Sequence, residues 1–278
     1  MTAEQIEAVN NCNEKWQQGD YVLGDQQFIF RYLSKAPATK LSASWDSEEI
    51  DYIGEEIVRG LVILTQTCDL IRKVEERPYF EVAPVVEVSE AALSEIKARR
   101  QPRYAEVPTL SASRLVADLD RVMTLEKPVL LTWQQNRGCN NDEEKRLFAW
   151  ALSRKRMRAA LPTDFGEMLN PLQQRWKDKH KKDSPEGKII RAIAEIRVMA
   201  KPSWAAEKIT TKFFFLIHPK HQPTIEMDQA AIERQVETWL KLPISNAKYT
   251  LESWVGGYDE LTAGEYVNSD HLDYDHLS

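Results

Sequence analysis

The residues best placed to do chemistry are Thr65-Gln66-Thr67-Cys68-Asp69, which follow the apolar run Gly60-Leu61-Val62-Ile63-Leu64. A polar cluster at the end of a buried strand is where many sites are built. Downstream, Arg77-Pro78-Tyr79-Phe80-Glu81-Val82 has the pattern of a return strand, which would bring Arg77 or Glu81 back toward Asp69. Cys68 becomes a nucleophile only if a neighbouring base or cation lowers its pKa. Asp69 and Glu81 together offer hard oxygen ligands for a divalent ion. Cys68, Asp69 and Glu81 are therefore the catalytic candidates. The structural alternative is a thiol sealed in apolar packing, with Asp69 satisfied by backbone N–H groups in the turn. No histidine stands near Cys68 in the sequence to activate it, so the sealed arrangement is the expectation.

Other residue sets have plainer roles beside the chemical ones. His218-Pro219-Lys220-His221 places two imidazoles three apart, with Glu226 and Asp228 as possible third ligands, but the proline reads as an exposed turn. The ending Asp270-His271-Leu272-Asp273-Tyr274-Asp275-His276 mixes carboxylates and imidazoles and needs no metal to explain it. Cys12, Cys68 and Cys139 are an odd count at wide spacing and form neither a disulfide framework nor a metal knuckle. P-loop, dinucleotide, zincin and nucleophile-elbow motifs are lacking. No metal and no cofactor is assigned.

Charge gives a second kind of candidate. Residues 145–220 hold 18 Lys+Arg against 7 Asp+Glu (+11), leaving 19 against 36 (−17) in the rest of a chain whose net charge is −6. Two clusters dominate this window: Arg154, Lys155, Arg156 and Arg158, and then Lys177, Lys179, Lys181 and Lys182 around Trp176. Such clusters gain affinity for phosphate backbones through counterion release, and an aromatic among them can stack on a base. The expected nucleic-acid-binding residues are Arg154, Lys155, Arg156, Arg158, Trp176, Lys179, Lys181 and Lys182. The competing explanation is a basic face that is solvated, or docked on the chain's own acidic half.

The elements that must position these groups read as α+β. A helix over 3–18 precedes strands at Tyr21–Leu23, Phe28–Leu33, Gly60–Thr67 and Tyr79–Val88, with residues 34–56 as a long loop. Ser89 caps a helix running to about Arg100, and Arg114–Leu125 and Pro128–Trp133 read as further strands, the last fully apolar and central. Asn136–Asp142 is the clearest break. Beyond it, helical stripes end with Phe165, Met168, Leu169, Leu172 and Trp176, where Pro171 implies a kink or two short helices. Ser184-Pro185 starts another helix, Asp228–Leu240 is a capped one, and Glu195–Met199, Lys212–His218 and Lys248–Val255 are strands. The expected organisation is a strand-rich unit over 1–135, with a small β-barrel as one form open to it. A helical, basic lobe with closing α+β elements then covers 140–278.

The strand end Thr65-Gln66-Thr67-Cys68-Asp69-Leu70 resembles a widespread set of uncharacterised bacterial proteins that share a strand, Ser/Thr, Cys-Asp signature. The likeness continues through Glu81-Val82-Ala83-Pro84, Asp120-Arg121-Val122, Arg158–Pro162 and Ser269–Asp273. More distantly, Gly19-Asp20-Tyr21-Val22 followed by a Val-Ile-Leu-Thr strand resembles the small barrel of PemK/MazF-type endoribonuclease toxins, with Arg59-Gly60 where that family has Arg-Pro. The basic window points to nucleic-acid binding, and these resemblances imply that such a protein is a component of a bacterial conflict or phage-defence system. The alternatives are a hydrolase or nuclease at Cys68-Asp69, and an adaptor that binds a protein partner from a neighbouring gene. Met1-Thr2-Ala3-Glu4-Gln5 lacks a signal peptide's pattern and no run is long enough to span a membrane, so a cytoplasmic protein without membrane partners is expected.

Overall fold

A computed structural model describes residues 1–45, 51–97, 101–157, 161–217, 225, 227–243 and 246–272. The chain is α+β and divides into two compact units, Met1–Arg156 and Met157–Ser278. The division falls beyond the turn-rich 136–142 segment, since the helix that follows this segment belongs to the first unit.

In that unit, helix α1 (Ala3–Asn13) is closed by a capping box between Thr2 and Gln5. Strands β1 (Tyr21–Leu33), β2 (Asp51–Ile63), β3 (Tyr79–Glu87), β4 (Tyr104–Glu106) and β5 (Leu115–Asp118) pair antiparallel in the order β1-β2-β3-β5-β4, and β6 (Met123–Glu126) pairs with β3. Central β3 is shared: Tyr79–Val82 face β6 and Val85–Glu87 face β5. The sheet is packed on both faces. Val62, Leu64, Ala83 and Val85 join one core with Val107, Leu110 and Phe148, while Leu61, Ile63, Phe80 and Val82 join another with Trp16, Phe28 and Leu130. This two-sided burial is what a continuous apolar run predicts.

Several expectations change. No barrel closes: β6 reaches β1 not by a ladder but through the Ile29 N–H, which donates to Met123 Sδ at 3.3 Å. The two expected strands at 21–33 are one strand with a bulge between Leu23 and Gln26. Residues 34–56 are not all loop, since they contain helix α2 (Lys40–Ala43), capped by Thr39, and the first half of β2. Strand β2 ends at Ile63, and Thr67–Leu70 is a helical turn, α3. Arg114–Leu125 is two short strands. Pro128–Trp133 is no strand, because Lys127–Thr132 forms a 3₁₀ helix that buries Leu130 and leaves Leu131 half exposed. Helix α4 (Glu90–Lys97) starts at the Ser89 hydroxyl, which accepts from the Ala92 N–H. Helix α5 (Asp142–Arg156) closes the unit and buries Phe148.

The second unit is a four-stranded sheet, β7 (Ile193–Lys201), β8 (Ile209–Ile217), β9 (Tyr249–Gly256) and β10 (Asp270–His271), ordered β10-β7-β8-β9 with β8 and β9 parallel. Helices α6 (Thr163–His180), α7 (Pro185–Ala192) and α8 (Gln229–Trp239) share a core with one face of it. Met199, Phe214, Leu216 and Leu261 pack together in a smaller cluster, and helix α9 (Ala263–Val267) follows in the chain. Phe165, Met168, Leu169, Leu172 and Trp176 are all buried, as their spacing predicts. Pro171 sits inside one uninterrupted helix rather than between two.

Candidate functional site

At the end of β2 the backbone is clasped from two sides. The Gly19 N–H donates to the Ile63 carbonyl at 2.9 Å, the Ile63 N–H to Asp20 at 2.8 Å, and the Leu64 N–H to Glu81 at 2.8 Å. The two threonines extend this clasp. Thr65 Oγ1 accepts from the Glu81 N–H at 2.7 Å and Thr67 Oγ1 from the Gln18 N–H at 3.1 Å. Each hydroxyl oxygen thus accepts a backbone N–H that ties the end of β2 to its neighbours.

Beyond them the chain turns through α3, anchored by the fully buried Leu70. Cys68 stands exposed on this turn, its Sγ 3.6 Å from Gln66 Oε1. The expected sealed thiol is therefore corrected: the α3 turn carries Cys68 out of the core that Leu70 enters. Asp69 is exposed too, and among the described residues its carboxylate pairs with none of Arg59, Arg77 and Glu81. Arg59 goes to Glu87 at 2.7 Å, and Glu81 accepts from Arg156 Nη2 at 2.5 Å. Cys68, Asp69 and Glu81 are neighbours in the fold without converging on a common point of chemistry.

Lys127 is what holds the turn, and nothing in Leu125-Glu126-Lys127-Pro128 marks it out beforehand. It is fully buried, and its Nζ donates to the carbonyls of Asp69 at 3.1 Å and Arg72 at 2.7 Å. Burial pushes its pKa down, the Asp69 carboxylate opposes this, and Arg77 adds to it. Lys127→Met keeps the length of the stem but strands the Arg72 carbonyl and leaves the Asp69 carbonyl with the Arg72 N–H, at 3.3 Å. It should cost about 1–3 kcal/mol, the worth of one buried group left unsatisfied, and free residues 67–72. Urea unfolding and hydrogen exchange at Leu70–Arg72 would check this; unchanged exchange there would remove Lys127 as the anchor.

Two further buried carboxylates are structural. Asp20 Oδ2 accepts from the Gln17 N–H at 2.9 Å, Gln135 Nε2 at 2.6 Å and Arg137 Nη1 at 2.8 Å, yet burial still raises its pKa. Asp118 takes the Arg103 fork at 3.3 and 3.1 Å and Arg121 Nε at 3.0 Å. Burial acts to raise the Asp118 pKa, but the two guanidinium groups pull it down on balance. Cys139 is buried, and that burial, with Glu144 and Asp20 nearby, pushes its thiol up to about 11. Among the described residues no group of three or more His, Cys, Asp and Glu could hold a metal ion. His218, His221, Glu226 and the end of the chain from Asp273 lie outside the described residues.

The basic window separates into two behaviours. At the end of α5, Lys155 pairs with Asp120 and Arg156 with Glu81, while the Arg154 guanidinium lies 5.8 Å from the centroid of the Trp150 ring. These cations are largely engaged by their own unit, as the docked-face explanation anticipates; Arg158 lies outside the described residues. Trp176 does not present a stacking face. It is 3% exposed and meets Phe215 and Trp239 edge-on at 6.1 and 5.7 Å, because the helical stripe that buries its neighbours also buries it. Lys179 is 3.8 Å from Glu186. Lys177, Lys181 and Lys182 are exposed and, among the described residues, take part in no ion pair. No described helix is long and apolar enough to cross a membrane. No protein-family model matches the chain, and no curated protein or solved structure matches it either.

Proposed function

We propose that this chain binds the phosphate backbone of a nucleic acid through the lysines where α6 ends and α7 begins. One observation carries the reading: Lys177, Lys181 and Lys182 are solvated and unpaired among the described residues, whereas Lys155 and Arg156 are neutralised by Asp120 and Glu81. Exposed cations without acidic partners are the ones whose phosphate contacts release counterions. Cations also stabilise a helix C-terminus, so a purely structural role for the same lysines is the rival explanation. The resemblance of the Cys68-Asp69 strand end supports assigning the binder to a bacterial conflict locus.

Salt dependence separates the two explanations. With a labelled single-stranded oligonucleotide, replacing Lys177, Lys181 and Lys182 together by glutamate should lower affinity at every sequence. It should also flatten the log–log salt slope by about 2, at roughly 0.7 per lost phosphate contact. Arg156→Ala should leave the slope unchanged, since its partner is Glu81. A slope that stays the same in the triple variant would reduce these lysines to a solvated helix end.

A further inference from the structure

A cavity of about 250 Å³ opens in the first unit among α4, β4, α5 and the 3₁₀ turn Pro108–Ser113. Its base is apolar and buried, formed by Ile96, Pro102 and Phe148. Two half-buried aromatic rings border it, Tyr104 from β4 and Trp150 from α5. Helix α5 supplies this lining because Glu144, Leu147, Phe148 and Ala151 recur at helical spacing on one face.

Among the described residues the charged lining is balanced. Lys97 and Arg154 stand against Glu106 and Glu144, and Gln101 adds an amide that both donates and accepts. These described groups sum to a formal charge of zero and give no net draw on a simple anion or cation. It matches a planar, neutral heterocycle that carries donors and acceptors on its edge. The polar groups are also held in place: Glu106 Oε1 accepts from the Ser111 hydroxyl at 2.5 Å and lies 3.5 Å from Lys97 Nζ, while Glu144 accepts from the Asn140 N–H at 2.6 Å. Size narrows the choice, since ligand pockets for drug-sized molecules start at about 300 Å³. A single base or nucleoside fits this scale and a dinucleotide does not.

We propose that this cavity takes one unpaired nucleobase, stacked on Trp150 or Tyr104 and read at its edge by Gln101, Glu144 and Arg154. A free nucleotide and an unstacked position in a single strand share that chemistry. The proposal does not rest on the lysines of the second unit. Mononucleotide binding reports on the cavity, and the salt slope of oligonucleotide binding reports on the lysines.

The test titrates the full chain by calorimetry with each nucleoside monophosphate, and then with single-stranded homopolymers of each base. At least one monophosphate or homopolymer should bind. Trp150→Ala should weaken it about tenfold or more, the worth of one base–aromatic stack. Glu144→Gln should change which base is preferred, because it exchanges an acceptor for a donor. Binding of monophosphates identifies a nucleotide site, and binding of homopolymers alone, still sensitive to Trp150→Ala, identifies a base within a strand. Should Trp150→Ala fail to fold, Arg154→Met on the rim replaces it, with saturation-transfer NMR on the unaltered chain reading the base protons. Failure of every monophosphate and homopolymer to bind would overturn the proposal. So would binding that neither cavity variant alters.

Discussion

Replacing Gly138 by alanine is expected to destabilise the first unit by about 3 kcal/mol or more, the upper end of what overpacking costs. A Cβ at this position would lie 1.9 Å from the Gly19 carbonyl oxygen and 2.8 Å from its carbon. Both are backbone atoms, so no side chain can swing aside. Gly19 has little freedom to retreat: its φ is +90°, and a Cβ there would itself meet Cys139 Sγ at 3.3 Å. Moving it would also pull on the Gly19 N–H bond to Ile63 and the reciprocal Tyr21–Asn136 bonds at 3.0 and 2.9 Å. A loss of this size is a large share of the roughly 5–15 kcal/mol that holds a domain together. Gly166→Ala is the matched control, because nothing lies within 4 Å of a Cβ there and the site is helical. It should be neutral or stabilise by up to about 1 kcal/mol. Denaturant melts showing equal stability for the two variants would refute the close approach at Gly138.

That contact also explains why the domain boundary was hard to read. Asn136-Arg137-Gly138-Cys139 has the composition of a linker, yet the segment is laid against Gly19-Asp20, with Arg137 on the Asp20 carboxylate. Turn residues mark where the chain bends, not whether the bend is docked. Local signals fared better. The α6 stripe and the Ser184 and Asp228 caps depend on neighbours three or four residues away, and all of them fold as read. Pro128–Trp133 failed because a short apolar run carries no period that separates a strand from tight helical turns.

The candidate sites were legible in charge and position but not in pairing. Summing charges finds the basic window, yet Lys155 meets Asp120 from 35 residues away and Arg156 meets Glu81 from 75. Those long-range pairs decide which cations remain available to a partner. Trp176 belonged to two patterns at once, an apolar stripe and a lysine cluster, and burial of the stripe prevailed. Lys127 escaped notice for the same reason as the ion pairs, since its carbonyl partners lie 58 and 55 residues upstream.

Glu186→Ala should destabilise the second unit by about 2–4 kcal/mol. Glu186 sits in the first turn of α7, where a carboxylate also favours the helix dipole. Its Oε1 accepts from Arg175 Nε and from the Trp239 indole N–H, both at 2.8 Å, and its Oε2 accepts from Arg175 Nη2 at 2.9 Å. Arg175 reaches solvent and recovers water when released, so its half of the pair contributes little. Trp239 is 1% exposed, and its indole N–H would be left buried without an acceptor, a loss of about 1–3 kcal/mol by itself. Glu186→Gln retains an oxygen for Trp239 and should cost less than half as much as alanine. The two variants also make a pH test. Burial acts to raise the Glu186 pKa, but the bonds from Arg175 and Trp239 and the charges of Arg175 and Lys179 outweigh it, leaving the value below 4.5. Between that lowered value and 4.5 the unfolded chain binds the proton more readily than the folded one. The carboxylate's stabilisation is therefore complete above 4.5 and disappears as the pH falls through the folded value. Thermal melts should show the gap between the unaltered chain and Glu186→Gln at pH 7 narrowing on acidification, with the alanine gap keeping its part due to the Trp239 N–H. A glutamine gap that stays constant from pH 7 to well below 4.5 would mean that the charge of Glu186 contributes nothing, and that this cluster holds α7 by shape alone.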